Sequence, residues 1–219
     1  MSKGIQDKST TRTYGGLSES ERQEERRERF LEAGLEIFGT VGLRGATVRS
    51  LCKAAGLTER YFYQSFADSD ALFCAVYERQ MINLQQHFLS RVADFPAELN
   101  DRITTALDVF FTLMRNDRIV RVLYIEGWAG SPQVNGMFLS NRNQHAQLTA
   151  QFIRLDNPGV TIADEGLVQI AHAINGAFST MIVQWMLDDY RTPQDTLVAS
   201  CALIVRGIMR ELLDARATG

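Results

Sequence analysis

Proline is scarce in this chain of 219 residues, with only four, and no stretch shows the strand-like alternation of apolar and polar residues. An all-α fold is therefore expected. Cysteine is scarce too. Cys52, Cys74 and Cys201 lie far apart and form no CxxC pair, a spacing that argues against a disulfide framework or a zinc site. They suit a reducing compartment, where thiols serve as small buried hydrophobes. Long apolar runs are lacking. The longest, near residues 174–187, is interrupted by Asn175, Ser179, Thr180 and Gln184, short of the about 18 residues a membrane span needs. The polar first residues hold no apolar leader core, so a cytoplasmic protein with no membrane partner is expected. Catalytic patterns are also lacking: no nucleophile–base pair, Gly-rich phosphate loop or carboxylate constellation stands out, so no enzyme and no cofactor are expected. His145 and His172 have neither HxxxH nor HxxE spacing, and no metal site is expected.

What is present is ordinary in bulk and uneven in detail. Hydrophobic residues make up 45% and charged residues 22%, the balance of a globular protein. The net charge of −3 divides unequally. Residues 1–66 hold 11 Lys and Arg against 9 Asp and Glu, while residues 67–219 hold 12 against 17. From Arg44 to Phe66 the count is Arg44, Arg49, Lys53 and Arg60 against Glu59 alone, or +3. A short positive segment on an acidic body is enough for nucleic-acid contact.

Three regions follow in order. Residues 1–17 read as a flexible polar arm carrying Lys3, Lys8 and Arg12. Residues 18–67 read as three helices. Ser18 and Glu21 form a capping box, the first helix carries Phe30, Ala33, Ile37 and Phe38 on one face, and Gly39 and Gly42 end it. Thr47 caps a second helix over residues 48–55, Gly56 is a left-handed stop, and Thr58 caps a third. Residues 68–219 read as a larger helical body. It opens with a long helix whose apolar stripe runs Leu72, Val76, Met81, Leu84, Phe88, Val92 and Phe95. Helices follow over about residues 98–115, 118–128, 135–155, 163–188 and 194–215, with a turn at Asp156-Asn157-Pro158-Gly159.

The stretch ATVRSLCKAAGLTERYFYQSF, from Ala46 to Phe66, has the parts of a helix-turn-helix: two short capped helices, a Gly-containing turn and inner apolar residues. Its second helix presents Glu59, Arg60, Tyr61, Gln64 and Ser65 outward, and Arg and Gln side chains read base edges by paired hydrogen bonds. With Phe38-Gly39, Gly42-Leu43, Thr47-Val48-Arg49, Ala54-Ala55-Gly56-Leu57-Thr58, Phe62-Tyr63, Phe66 and Ala71-Leu72-Phe73 in order, residues 26–77 resemble the TetR family of transcriptional regulators. The resemblance implies a DNA-binding set of Thr47, Arg49, Thr58, Arg60, Tyr61, Tyr63, Gln64 and Ser65. Arg60, Tyr61 and Gln64 would face bases, and Thr47 and Tyr63 phosphates. Two positions depart from the family's usual pattern: Ser65 stands in place of a His, and Ser69, between Asp68 and Asp70, in place of a Lys.

The resemblance further implies a body that holds a small-molecule effector and forms a homodimer. Candidate effector contacts are Phe110, Phe111, Tyr124, Trp128, Gln144, His145, Asn175, Phe178 and Trp185, an apolar set with a few polar groups. The last two helices are apolar on more than one face, which exceeds what one core requires. Ile174, Met181, Leu197, Cys201, Ile204, Ile208 and Leu212 are the candidate interface. The expected function is a repressor released from a near-palindromic operator in double-stranded DNA by an apolar or aromatic effector. A structural, chromosome-organising DNA-binder of the same fold without an effector is the alternative.

Overall fold

The computed structural model describes residues 18–156 and 159–214, so the expected arm with Lys3, Lys8 and Arg12, and Asn157 and Pro158 of the expected turn, lie outside the described residues. Regular structure within them is helical throughout. Helix α1 spans Glu19–Thr40. Its capping box is formed: the Glu21 amide donates to the Ser18 hydroxyl at 3.1 Å, and the Ser18 amide to the Glu21 carboxylate at 2.6 Å. Gly39 does not end α1, as the sequence suggested, but sits inside it. A Cβ at Gly39 would collide with Arg118, so this glycine serves a close approach of two elements. The reversal falls to Gly42, at φ +79°.

Helix α2 spans Val48–Ala55, with Thr47 and Ser50 capping each other reciprocally. Gly56 closes it at φ +63°, in the left-handed region that costs glycine little. The Arg29 guanidinium reaches across from α1 and donates to the carbonyls of Ala55 at 2.6 Å and Gly56 at 3.3 Å. It thus satisfies acceptors that the end of α2 leaves open. Arg29→Ala is expected to lower stability by about 1–2 kcal/mol, read as a shift in the urea midpoint. An unchanged midpoint would show these carbonyls equally well served by water. Helix α3 spans Glu59–Ser65. Thr58 stands at its N-cap position, but its hydroxyl makes no capping bond there; only its carbonyl takes the Tyr61 and Phe62 amides. This seven-residue helix is held mainly by Phe62, which is fully buried.

Helix α4 spans Ser69–Val92, with the Asp68 carboxylate accepting the Ala71 amide at 2.8 Å. Its first half closes the core of the head, where Leu72, Phe73 and Val76 meet Phe30, Phe38, Leu51 and Phe62. The second half buries the expected stripe less deeply than the first. Of the stripe residues there, Met81 and Leu84 pack half-buried against the cores, Phe88 and Phe95 are half-buried, and Val92 is exposed.

The body comprises α5 (Leu99–Leu113), α6 (Asp117–Val120), α7 (Pro132–Asp156), α8 (Asp164–Leu187) and α9 (Gln194–Asp214). It has two cores. In one, Phe111 of α5 and Met114, which caps it, meet Ile182 and Trp185 of α8 and Cys201 of α9. In the other, Ala146 and Ile153 of α7 meet Leu167 and Ala171 of α8 and Leu212 of α9. Helix α8 is long and apolar enough in composition to cross a membrane, which the reading by uninterrupted runs did not anticipate; here it serves both body cores.

The segment expected as one helix over residues 118–128 is wound three ways: α6, a π-helical turn over Arg121–Ile125 and a 3-10 turn over Glu126–Ala129. Its contacts account for that shape. The buried Glu126 carboxylate accepts the Leu43 amide of the head at 2.8 Å and pairs with Arg121 at 3.4 Å. Gly127 lies where any Cβ would strike Phe138. Arg44 adds a bond from its Nε to the Ala129 carbonyl at 3.2 Å. Glu126→Ala would strand the Leu43 amide and is expected to cost about 1–3 kcal/mol. Hydrogen exchange at Leu43 should speed up in the variant; unchanged exchange would mean that the carboxylate does not protect this amide.

Candidate nucleic-acid interface

Helices α2 and α3 cross with Leu51, Ala55 and Phe62 turned inward. Their outer faces carry Thr47, Arg49, Lys53, Thr58, Arg60, Tyr63 and Gln64, all exposed, with Ser65 half-buried. Arg49, Lys53 and Arg60 have no ion pair among the described residues, so their charge is available to a polyanion. Thr47 spends its hydroxyl on the Ser50 amide at 3.1 Å. Tyr63 is 59% exposed, while its ring edge packs on Phe62 with centroids 5.5 Å apart; that contact fixes the ring and leaves the hydroxyl outside. Tyr61 is only half-buried and lies beneath Arg26, whose guanidinium carbon is 4.6 Å from the ring centroid. Arg27 covers Phe66 in the same way at 4.6 Å. These two α1 arginines were not singled out from the sequence, because only the tertiary approach of α1 and α3 brings them beside the outer face. Arg44, counted in the positive segment, is tied to the body by its bond to Ala129.

The candidate effector residues do not gather in one place. Phe110, Phe111 and Trp185 lie together in the first body core, with Phe111 and Trp185 ring centroids 5.7 Å apart. The Trp185 indole donates to the Thr192 carbonyl at 2.8 Å, and Arg115 covers its ring at 5.1 Å. Tyr124, on the π-helical turn, packs against both the head core and this one. Trp128 is 56% exposed and packs edge-on against Phe138 at 5.0 Å. Gln144 and His145 are exposed on α7. The His145 ring is reached by solvent yet flanked by enough protein that desolvation, and then Arg142, lower its pKa. On α8, Phe178 bridges the two body cores, and the Asn175 amide donates to the Thr149 hydroxyl at 3.5 Å.

The candidate interface residues divide likewise. Leu197, Cys201, Ile174 and Leu212 are buried within the subunit, and the Cys201 sulfur lies 3.4 Å from that of Met181. Burial pushes the Cys201 thiol up to about 11. Ile204 and Ile208 open outward, where they line an apolar groove of about 550 Å³ with Ile162, Ile170, Ala173 and Leu203. Leu203, 73% exposed, is not among the interface residues read from the sequence. Its neighbour Ile204 was the only available signal.

Residues 30–76 match the family model described as bacterial regulatory proteins, tetR family, and the resemblance read from the helix-turn-helix motif is thereby shown for the head. No curated protein sequence matches the chain. Solved structures of similar fold extend over the body. The fatty acid degradation regulator FadR from Bacillus halodurans is 13% identical with a TM-score of 0.69, over 82% of this chain and 93% of that one. FadR from Bacillus subtilis, solved in complex with stearoyl-CoA, is 13% identical with a TM-score of 0.65, over 82% and 98%. A TetR-like transcriptional regulator from Rhodococcus sp. RHA1 is 19% identical with a TM-score of 0.64, over 88% and 98%.

Proposed function

We propose that this protein is a homodimeric, cytoplasmic DNA-binding transcriptional regulator. In this reading it is a repressor that leaves a near-palindromic operator when a small apolar or aromatic effector occupies its body. The carrying observation is the α2–α3 unit, in which a fully buried Phe62 and Leu51 lock the crossing while Arg49, Arg60, Tyr63 and Gln64 stand free on the outer face. That face fits a major groove. The tetR-family match over residues 30–76 supports the reading. The stearoyl-CoA held by the similarly folded Bacillus subtilis regulator supports a largely apolar effector. Two subunits would set two α3 helices on half-sites about 34 Å apart. Effector and DNA would oppose each other because each binds one of two body states better.

The head is tested with two substitutions. Gln64→Ala should cost about 1–3 kcal/mol on the specific operator and relax preference at one or two base pairs. Tyr63→Phe should weaken binding to all sequences alike, since a phosphate contact carries no sequence information. Binding isotherms on operator and scrambled duplexes separate the two. An unchanged operator-to-scrambled ratio for Gln64→Ala would remove it from base reading.

A further inference from the structure

The body presents a cation without a counter-ion beside polar groups without partners. Arg142, half-buried on α7, forms no ion pair among the described residues. Its guanidinium carbon lies 5.6 Å from the Trp128 ring centroid and 5.8 Å from that of Phe138. Phe138 in turn packs edge-on against Tyr77 at 5.8 Å, so an aromatic wall runs from exposed Trp128 to buried Tyr77. Gln80 follows Tyr77 by one turn on α4 and is buried as well. The Tyr77 hydroxyl, the Gln80 amide and the Tyr124 hydroxyl have no hydrogen-bond partner among the described residues. Tyr77 and Gln80 are buried and Tyr124 is half-buried, yet their polar atoms stay within reach of solvent, so water or a ligand can bond them. Their tips are not sealed in: among the described residues, the fully enclosed side-chain polar atoms without partners are Arg121 Nε and Arg206 Nε.

Arg142 is felt at this wall. Burial pushes the Tyr77 hydroxyl up to about 12, with Arg142 acting in the opposite sense, and Tyr124 is raised from the same cause. Both hydroxyls therefore keep their protons and can donate. A guanidinium without a counter-ion, on an aromatic wall that also carries two phenolic donors, favours an anion. It would also exclude a cationic ligand by leaving two like charges poorly solvated.

We propose that Arg142, with the hydroxyls of Tyr77 and Tyr124, forms the anion-binding end of the effector site. The effector is then an amphiphile with an aromatic or aliphatic body and a single anionic head, a carboxylate or a phosphate. This rests on the reading that the body takes an effector. If Arg142 merely braced Trp128 through its ring, ligand charge would be indifferent to it.

The test uses matched probes on the full chain: dodecanoate, dodecyl phosphate and dodecanamide, with 2-naphthoate, 2-naphthyl phosphate and 2-naphthamide as the aromatic set. Binding is followed by tryptophan fluorescence and by thermal shift. At least one anion should bind at least tenfold tighter than its uncharged amide, and which anion does so identifies the head. Arg142→Gln should abolish that preference, Arg142→Lys should keep part of it, and Tyr124→Phe should reduce it, with circular dichroism melts showing that each variant is folded. Amides that bind as well as the anions, a preference that survives in Arg142→Gln, or binding of no probe would overturn the anion site. Amides and anions that release operator DNA alike would overturn it while leaving the regulator reading standing. An Arg142-dependent preference for an anion that leaves operator affinity unchanged would keep the site and remove the regulator reading.

Discussion

Ile204→Arg is expected to convert a dimer at micromolar concentration into monomers. Ile204 and Leu203 form the open rim of the apolar groove between α8 and α9, and Leu203 is 73% exposed. A contiguous apolar surface of this kind calls for cover, and a second copy of the same two helices supplies it symmetrically. A guanidinium buried there without a partner costs several kcal/mol. A loss of about 4 kcal/mol raises the dissociation constant roughly a thousandfold. Cys201→Ala is the control: Cys201 is fully buried inside the subunit, so its loss should lower the melting temperature without changing the sedimentation coefficient. The Ile204→Arg monomer should also lose cooperative operator binding, because one head reaches one half-site. A wild-type protein sedimenting as a stable monomer would refute the assembly, and a variant that remains dimeric would move the interface elsewhere.

Phe62→Ala is expected to cost about 3–5 kcal/mol and to abolish operator binding. Phe62 is fully buried, edge-on to Phe30 at 5.3 Å and beside Phe66 at 6.0 Å. Its removal opens a cavity directly beneath the helix that carries Arg60, Tyr63 and Gln64. The loss is a large part of the whole stability of a typical domain, about 5–15 kcal/mol. Urea unfolding should show the head melting early, while sedimentation still reports the dimer, since α8 and α9 share no contact with Phe62. Tyr63→Phe at the neighbouring position should leave unfolding unchanged, because its hydroxyl is outside the core. If Phe62→Ala bound operator normally, the orientation of α3 would be set by something other than this packing.

The head was legible because its signals are local. Thr47, Ser50 and Gly56 delimit α2 within a few residues of themselves, and Phe62 and Phe66 are spaced for one helix face. Local signals said less where a residue answers to a distant partner or forgoes its local bond. Gly39 read as a helix stop and is a contact point for Arg118. Thr58 read as a capping side chain, yet its hydroxyl caps nothing in α3. Tyr61, read as facing outward, is half-buried with Arg26 of α1 over its ring, a neighbour the sequence does not reveal. The body was less legible, since its many aromatics look alike in sequence. Phe111 and Trp185 pack in a core whose ring edges and indole proton are already engaged, whereas Trp128, of the same residue type as Trp185, stands on the surface.

By itself, the sequence determined the helical class, the order and approximate ends of most helices, and a helix-turn-helix with a positive outer face. Caps, turn glycines and apolar spacing act over four or five residues, and their physics is complete within that range. Only the tertiary structure decided which apolar residues close a core and which await a partner. Along α9, Leu197 and Cys201 turn inward, while Leu203 and Ile204 turn out into an open groove. All four are equally apolar in sequence. Their fates differ because burial depends on which neighbouring helix reaches them, and that is set by contacts between residues far apart in the chain.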